Sequence, residues 1–370
     1  MLTTVIEQYK RLKDNNAFGL VLRPAVLANR RLHQHELQTR PLVMKSLPPG
    51  MEIELTNRCN LACVQCLRSR GLKPYALGDI TFENYTRILA QFPHVMTLCL
   101  NGFGEPTLHK QFFEIVAHTR RERPWCKISI YSNGMTIDEE KAHQLMDCGL
   151  TEVDISIDAA HPDTYRRVRR GGKLPILHQN ITRLMQIRRE TRARFPMVGL
   201  NFVMLNENEG ELVPFIEQAA DAGVDFINCI SYATYDWGFI NRRTRDSYQR
   251  ELDAAAERLA SLGMRCKSFP STDLSWSDPN EAFDCSFFWG GSLRVTYAGE
   301  VTLGCCTPFK ETYSYGNLLE RPFGEIWNND QFQMNRALAK GHRMPSPACE
   351  SCKAFCHRFF PQPNAPEPLH

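Results

Sequence analysis

Three cysteines with the spacing Cys59-x3-Cys63-x2-Cys66 lie directly after a run of strand-forming residues, 51–56. A loop at the end of a strand therefore carries three thiols that can bind metal as thiolates. A closed structural zinc site normally has four ligands. Three thiolates instead suit a 4Fe–4S cube, in which each holds one iron and the fourth iron stays open for another ligand. A zinc loop completed by a distant residue is the alternative.

Toward the C-terminus lies a second group of cysteines, made of Cys285, Cys305, Cys306, Cys349, Cys352 and Cys356. Adjacent residues on a strand point to opposite faces, so Cys305 and Cys306 should not bind the same metal centre. These thiols can bind metal as thiolates. A zinc ribbon with such ligands is one interpretation.

The remaining cysteines of the 14 are scattered among apolar residues: Cys99, Cys126, Cys148, Cys229 and Cys266. Free cysteine is among the most buried residue types, so these are predicted to be core thiols. The N-terminal residues carry no apolar signal-peptide stretch, which indicates a cytoplasmic protein. Thiols stay reduced in that compartment, so metal ligation is favoured over disulfides.

Composition excludes several classes of protein. The 370 residues carry 44 Lys and Arg against 41 Asp and Glu, a net charge of +3, which argues against a strongly basic nucleic-acid or membrane-surface binder. No apolar run is long enough for a membrane span. We therefore expect neither nucleic acid nor a membrane as a partner.

Strand-like and helix-like segments alternate through the first two thirds of the chain. The strand-like runs are 51–56, 96–100, 127–131, 153–157, 198–204 and 225–230, and the helix-like stretches are 82–92, 110–121, 137–148, 178–192 and 211–222. This rhythm predicts a parallel sheet with right-handed crossovers, either doubly wound or a partial barrel. In both, ligands bind beyond the C-terminal ends of the strands. Thr81 and Asp138 are predicted helix N-caps.

The rhythm stops near residue 265, and the chain divides there. We predict a helical N-terminal extension over 1–50, a β/α core over 51–265, a small separate domain over 266–360 and a disordered tail over 361–370. The third region has short strands at 292–298 and 300–303 and helices at 323–327 and 331–340. Its core is too thin to stand without a metal centre.

Five segments resemble the radical S-adenosylmethionine (SAM) superfamily: Glu54–Cys63 with the cysteine spacing, Asn101–Pro106 (NGFGEP), Tyr131–Gly134 (YSNG), Asp154–Asp158 (DISID) and Asn201–Asn206 (NFVMLN). The second is similar to the family's GGEP motif, with Phe103 in place of its first glycine. The resemblance implies an α/β fold, a partial (β/α)6 TIM-like barrel. It also implies that an electron from a flavodoxin- or ferredoxin-type donor splits SAM, and that the resulting 5′-deoxyadenosyl radical takes a hydrogen atom from the substrate.

The same resemblance assigns roles to individual residues. It gives the SAM-binding 4Fe–4S cluster, the catalytic centre, to Cys59, Cys63 and Cys66. A turn at Gly104 and Glu105 would face the amino group of SAM. The other expected cofactor contacts are Ser132, Asn133, Ser156 and Asp158 near the ribose, Asn206 at the end of the fifth strand, and Gln65, which stands where an aromatic residue usually lies near the adenine.

The C-terminal cysteine region resembles the SPASM/twitch extension of many radical SAM enzymes, which binds one or two auxiliary 4Fe–4S clusters. The segments Tyr297–Cys306, Gly316–Leu318 and Glu325–Asn328 carry this resemblance. The short form with one cluster fits best, with the ligands Cys285, Cys305, Cys349 and Cys352. Cys306 remains open as an alternative to Cys305, and Cys356 as a ligand to a second cluster.

The predicted reaction is dehydrogenation of a sugar- or aminocyclitol-like substrate, with the auxiliary cluster as electron acceptor. The N-terminus is too short and helical for the leader-binding module that peptide maturases often carry, which favours a small substrate. The alternatives are an epimerase with Cys229 as hydrogen donor, a peptide or protein maturase, and an iron–sulfur electron carrier without enzyme activity. Aromatic and basic candidates for substrate contacts are Tyr232, Tyr235, Trp237, Trp289 and Arg294.

Overall fold

The computed structural model describes residues 23–69, 76–231, 245–270, 285–291, 293–303, 314–345 and 349. Seven residues with predicted roles lie outside these ranges: Cys305, Cys306, Cys352, Cys356, Tyr232, Tyr235 and Trp237. No helix within the described ranges is long and apolar enough to cross a membrane.

Within the described part of the chain, nine strands form one sheet in the order β7-β6-β5-β4-β3-β2-β1-β8-β9. The strands are β1 (Gly50–Ile53), β2 (Thr97–Cys99), β3 (Lys127–Ser132), β4 (Glu152–Ser156), β5 (Met197–Met204), β6 (Phe226–Ser231), β7 (Cys266–Ser268), β8 (Leu293–Val295) and β9 (Val301–Leu303). Neighbours from β7 to β8 pair in parallel, and β9 pairs antiparallel to β8. The order is sequential and the sheet is not closed, which confirms the predicted partial barrel.

Helices lie before, between and after these strands. They are α1 (Pro24–Thr39), α2 (Phe82–Ala90), α3 (Phe112–Glu122), α4 (Glu139–Asp147), α5 (Pro162–Val168), α6 (Leu174–Glu190), α7 (Leu212–Ala222), α8 (Arg245–Leu262), α9 (Phe323–Trp327) and α10 (Asp330–Lys340). The sequence did not predict α5 or α8. Most residues of α8 are polar, and its buried apolar residues form one narrow stripe along the helix. The helical periodicity of apolar residues is therefore weak in this part of the sequence. The stripe consists of Tyr248, Leu252, Ala255 and Leu259.

Two helices begin at the residues that the sequence indicates. The Thr81 hydroxyl accepts a hydrogen bond from the backbone N–H of Asn84 at 3.1 Å, and the Asp138 carboxylate accepts one from Lys141 at 2.9 Å. Each bond satisfies an N–H group that the first helical turn leaves unpaired. The two predicted N-caps are confirmed.

The sheet has an apolar and a polar face because side chains alternate along each strand. In β3, Ile128 and Ile130 are fully buried in the hydrophobic core, whereas Lys127, Ser129 and Tyr131 are at least partly exposed on the opposite face. β4 alternates between apolar and polar residues in the same way. Helices cover the apolar face, so the polar residues line the concave inside of the partial barrel.

The described C-terminal residues extend the core sheet. Leu293 and Val295 on β8 pair with Met51 and Ile53 on β1, the strand that precedes the cysteine loop. The auxiliary region therefore begins as a continuation of the barrel sheet, a connection that the predicted linker near residue 265 did not indicate.

The N-terminal extension packs on this same C-terminal region. The indole N–H of Trp327 donates to the carbonyl of Ser46 at 3.0 Å, and that of Trp289 donates to Pro41 at 2.8 Å. Both indoles are buried. Trp289 is thus held in the interior, which contradicts its candidate role as a substrate contact.

Candidate active site

The cysteine loop leaves the C-terminal end of β1 and is held on both sides. The Thr56 hydroxyl donates to the Asp79 carboxylate at 2.5 Å, and Asp79 also pairs with Arg58 at 3.3 Å. Cys59 and Cys66 are half-buried and Cys63 is buried. The loop is thereby fixed at the edge of the barrel where ligands bind in parallel β/α folds.

N–H groups point at two of the thiols. Asn133 Nδ2 donates to Cys59 Sγ at 3.7 Å, the backbone N–H of Leu61 donates to the same sulfur at 3.5 Å, and Arg169 Nη1 donates to Cys63 Sγ at 3.6 Å. Burial raises the pKa of both thiols; the N–H of Leu61 and the charge of Arg68 oppose the rise at Cys59, and the charge of Arg169 opposes it at Cys63. Such donors stabilise sulfur that carries negative charge, as it does when bound to iron.

The donor set fits an iron–sulfur cluster. Three thiols share one loop, and no three metal-ligating side chains of the described residues converge on a single ion. In a cube each thiolate binds its own iron, so convergence is not needed. Two buried guanidinium nitrogens beside the loop, Nε of Arg68 and Nε of Arg169, lack hydrogen-bond partners among the described residues. Their charge suits an anionic cluster and the carboxylate of SAM.

Glu105 joins two of the loops that surround the cysteines. Its carboxylate accepts hydrogen bonds from Thr107 N–H at 3.2 Å, Ser132 Oγ at 2.8 Å and the backbone N–H of Asn133 at 2.7 Å. Burial raises the pKa of Glu105, and these hydrogen bonds lower it again in part. The predicted contacts of Glu105 with the SAM amino group and of Ser132 with ribose remain predictions. In the structure the two side chains bond to each other.

Asp158 is bonded to residues from three other segments of the chain. The residue is fully buried, and its carboxylate accepts a hydrogen bond from Gln65 Nε2 at 2.6 Å and from the backbone N–H of Val203 at 2.8 Å, while Arg169 forms an ion pair with it. These partners all belong to the protein, and the predicted contact of Asp158 with ribose remains a prediction. The carboxylate anchors Gln65, the residue expected near the adenine, and Arg169.

The strand-end residues Ser156 and Asn206 are half-buried, as a contact with a cofactor requires. Asn208, which the sequence did not single out, is buried beside them. Its Nδ2 donates to the carbonyls of Asp158 and Val203, both at 2.8 Å. It thus holds the ends of β4 and β5 together. Its place two residues after the NFVMLN segment was the available signal.

On the concave face, Glu152 lies between two lysines. Lys127 Nζ donates to one carboxylate oxygen at 2.8 Å, and Lys267 pairs with the other. Burial opposes ionisation of Glu152, but hydrogen bonds from the two lysines lower its pKa. The carboxylate of Glu152 is therefore ionised, and the positive charges of the two lysines offset its negative charge.

Asp154, the next residue on this face, forms no ion pair with a lysine or arginine of the described chain. Asn228 Nδ2 donates to its carboxylate at 2.7 Å and to Asn201 Oδ1 at 2.7 Å. Burial and the charge of Glu152 raise the pKa of Asp154 to about 7. This group can exchange a proton near neutral pH.

Apolar side chains also face the open barrel. Tyr131 is 45% exposed and Ile230 is 39% exposed, although both belong to strands of the sheet. Arg294, a candidate substrate contact, pairs with Glu52 at 2.5 Å, and its guanidinium lies 5.8 Å from the ring centre of Phe103. The concave face therefore offers amides, carboxyls and apolar surface together.

Cys229 does not lie on this face. It alternates with Asn228 along β6, so its side chain points to the opposite side, where it is buried in the hydrophobic core and hydrogen-bonded to Cys266. The epimerase hypothesis needs a thiol beside the substrate, and this placement contradicts that role for Cys229. Cys99, in contrast, lies on the polar side near Ser129 and Glu52.

Of the predicted auxiliary ligands, the structure describes Cys285 and Cys349. Cys285 is half-buried just before a short 3-10 turn, Ser286–Trp289, and Cys349 is buried in the hydrophobic core. The remaining members of the predicted set lie outside the described residues.

Two family models match the chain. The radical SAM superfamily model matches residues 53–219, and the SPASM model, an iron–sulfur cluster-binding domain, matches residues 285–353. The chain belongs to the radical SAM superfamily. The enzyme therefore uses SAM and a 4Fe–4S cluster, with auxiliary iron–sulfur binding in the C-terminal domain. When bound, this pair would supply a 5′-deoxyadenosyl radical, and Cys59, Cys63 and Cys66 are the residues that would hold the cluster.

The chain is also similar to curated relatives and to a solved structure. A "PqqA peptide cyclase" of Streptomyces rochei is 29% identical over 76% of this chain and 75% of its own. A "Tungsten-containing aldehyde ferredoxin oxidoreductase cofactor-modifying protein" of Pyrococcus furiosus is 25% identical over 81% of this chain and 86% of its own. The fold resembles Streptococcus suis SuiB bound to its precursor peptide SuiA, with a TM-score of 0.64, 13% identity, and coverage of 88% and 80%.

Proposed function

We propose that this radical SAM enzyme modifies a peptide or protein by abstracting a hydrogen atom from a side chain and forming a new bond there. The observation that carries the proposal is the similarity to a PqqA peptide cyclase over 76% of the chain. In the proposed reaction the substrate loses two hydrogens. One would leave as a hydrogen atom taken by the adenosyl radical, and the other would leave as a proton released to solvent and an electron for which the auxiliary cluster would be the acceptor.

The concave face supports a peptide substrate. Tyr131 and Ile230 present apolar surface at the open side of the barrel, and Asp154, Asn201 and Asn228 present hydrogen-bonding groups deeper inside. A peptide offers the matching combination of apolar side chains and backbone amides.

This proposal takes the place of the sugar-directed dehydrogenation that the sequence favoured. That preference rested on a short helical N-terminus, and the described part of it, α1 with the residues that follow, packs on the C-terminal domain. Its position there says nothing about substrate size. The peptide maturase, an alternative at the sequence level, therefore becomes the leading hypothesis.

The test is a reaction with defined peptides. Anaerobically reconstituted enzyme is incubated with SAM, dithionite and short peptides encoded beside its gene, and the products are analysed by mass spectrometry. We expect one peptide to lose two hydrogens, with one 5′-deoxyadenosine formed per modified peptide. Fragmentation should place the change on one side chain or one crosslinked pair.

Two cysteine variants serve as a matched pair. Cys63→Ala should abolish both 5′-deoxyadenosine and peptide modification, whereas Cys148→Ala, at a buried thiol outside the site, should retain both. Oxidation of an aminocyclitol with all peptides left unmodified would overturn the proposal in favour of dehydrogenation.

A further inference from the structure

Arg169 is held directly opposite Cys63. The backbone N–H groups on either side of Cys63 donate to the carbonyls on either side of Arg169, at 2.9 and 3.0 Å. This pair of bonds docks the end of α5 on the cysteine loop. The two side chains are therefore placed by the backbone, and their approach does not depend on a flexible arm.

The guanidinium divides its nitrogens between two partners. Nη1 donates to Cys63 Sγ at 3.6 Å, and Nη2 pairs with the Asp158 carboxylate. Asp158 is itself fixed by the backbone N–H of Val203. Arg169 and Asp158 are both buried, so water screens these charges little. Asp158 thus orients the guanidinium and leaves one N–H directed at the sulfur.

A directed N–H and a nearby cation affect the two oxidation states of a cluster unequally. Reduction adds one electron and therefore one negative charge, which the thiolate sulfurs share. A cation stabilises the more negative state more strongly, especially in a buried site. Hydrogen bonds to the sulfurs and net charge are known determinants of iron–sulfur reduction potentials.

We propose that Arg169 is a positioning residue that raises the reduction potential of the SAM-binding cluster by donating an N–H from a buried cation to the Cys63 sulfur. The step that it assists is the one-electron reduction of the cluster by an external donor, in which no bond is made or broken. Besides the geometry above, the proposal requires only that the enzyme belongs to the radical SAM superfamily. It does not depend on which substrate the enzyme modifies.

The test is a redox titration followed by electron paramagnetic resonance on reconstituted full-length enzyme. The signal that changes when SAM is added reports the SAM-binding cluster, and the remaining signal serves as an internal reference. Arg169→Gln should move the midpoint of the first signal to a more negative potential, with iron content and the reference signal unchanged. Arg170→Gln, at the adjacent exposed arginine, should leave both midpoints as in the wild type.

A second variant guards against misfolding, because Arg169→Gln leaves Asp158 buried without its ionic partner. The double variant Asp158→Asn with Arg169→Gln removes both charges and should show a smaller negative shift, because loss of the Asp158 anion offsets part of the loss of the cation, which lies nearer the sulfur. Arg169→Lys keeps the positive charge, so its midpoint should lie between those of Arg169→Gln and the wild type. A wild-type midpoint in either glutamine variant that binds the cluster would overturn the proposal, as would an equal shift in Arg170→Gln.

Discussion

Buried charges dominate this site at the scale of single residues. Glu105 and Asp158 were expected to contact the cofactor, yet each carboxylate is surrounded by donors from neighbouring loops. A buried carboxylate is tolerated only when its oxygens are hydrogen-bonded or paired. In this protein that requirement is met by the loops around the cysteines, so the carboxylates fix the loop geometry.

Asp154 should make the stability of the protein depend on pH. Its folded pKa, about 7, is above its ordinary value because of burial and Glu152, so the folded state holds a proton that the unfolded state releases between about pH 4 and pH 7. Stability is therefore lost as pH rises through this window. Asp154→Asn, which has no proton to lose, should unfold at a higher temperature than wild type at pH 8 and at a similar temperature at pH 4.5.

The thermal midpoint of the two proteins, measured at several pH values, checks this prediction. Asp163→Asn is the control, because Asp163 is exposed and, among the described residues, its ion pair is with Arg166 on the same helix. That variant should follow the wild type across the whole range. A constant difference between Asp154→Asn and wild type at all pH values would contradict the assignment of the proton to Asp154.

At the scale of elements, the decisive feature is how closely the loops after β1 and β2 approach each other. A side-chain carbon added at Gly104 would lie 2.2 Å from the carbonyl oxygen of Thr56 and 2.6 Å from that of Arg58. Both are backbone atoms of the cysteine loop, which cannot rotate away. The glycine in the GEP segment is therefore required by packing, independently of any contact with SAM.

Gly104→Ala should displace the cysteine loop from the loop that carries Glu105. Because displacements of about 1 Å in a catalytic arrangement can cost about 100-fold in rate, we expect 5′-deoxyadenosine formation to fall by roughly that factor. The rate of SAM cleavage by reconstituted enzyme is the measurement. Gly324→Ala is the matched control, because a carbon added at that glycine meets no atom within 4 Å. Equal rates in both variants would show that the close approach is unimportant.

At the scale of the whole molecule, the two ends of the described chain are tied together through Asn328. Its side chain exchanges hydrogen bonds with the backbone N–H and carbonyl of Met44, both at 2.8 Å, and accepts a third from Arg336 at 3.0 Å. Arg336 is fully buried and also donates to the carbonyl of Leu42 at 2.9 Å. The N-terminal extension is thus part of the structure that supports the auxiliary region.

Asn328→Ala should destabilise this junction. It removes three hydrogen bonds, one of them to a charged partner, and leaves buried donors without acceptors, so we expect a loss of about 3 kcal/mol in the free energy of unfolding. The free energy of unfolding can be measured by denaturant unfolding followed by tryptophan fluorescence, because Trp327 is adjacent to Asn328 in the chain. Met334→Ala, on α10 at a side chain that is 55% exposed, should change stability by no more than about 0.5 kcal/mol. A similarly small change in Asn328→Ala would contradict the proposed junction.

Much of the fold was predictable because its signals are local. The alternation of strands and helices, the caps at Thr81 and Asp138 and the cysteine spacing depend on residues that are neighbours in the chain. The pairing of β1 with β8 and the helix α8 were not predictable. The first joins segments about 240 residues apart in a way that no periodicity records, and the second shows only a narrow apolar stripe.

The sequence by itself determined the family, the cysteine loop and the alternation of strands and helices in the barrel, because ligand spacing and strand–helix periodicity depend on residues that are close in the chain. Only the tertiary structure decided which polar groups face the cavity and which hold loops together. Asp158 and Arg169 lie on different elements from Cys63, and only folding brings them to it. Burial then fixes their roles, because a charge removed from bulk solvent is stabilised chiefly by partners within the protein.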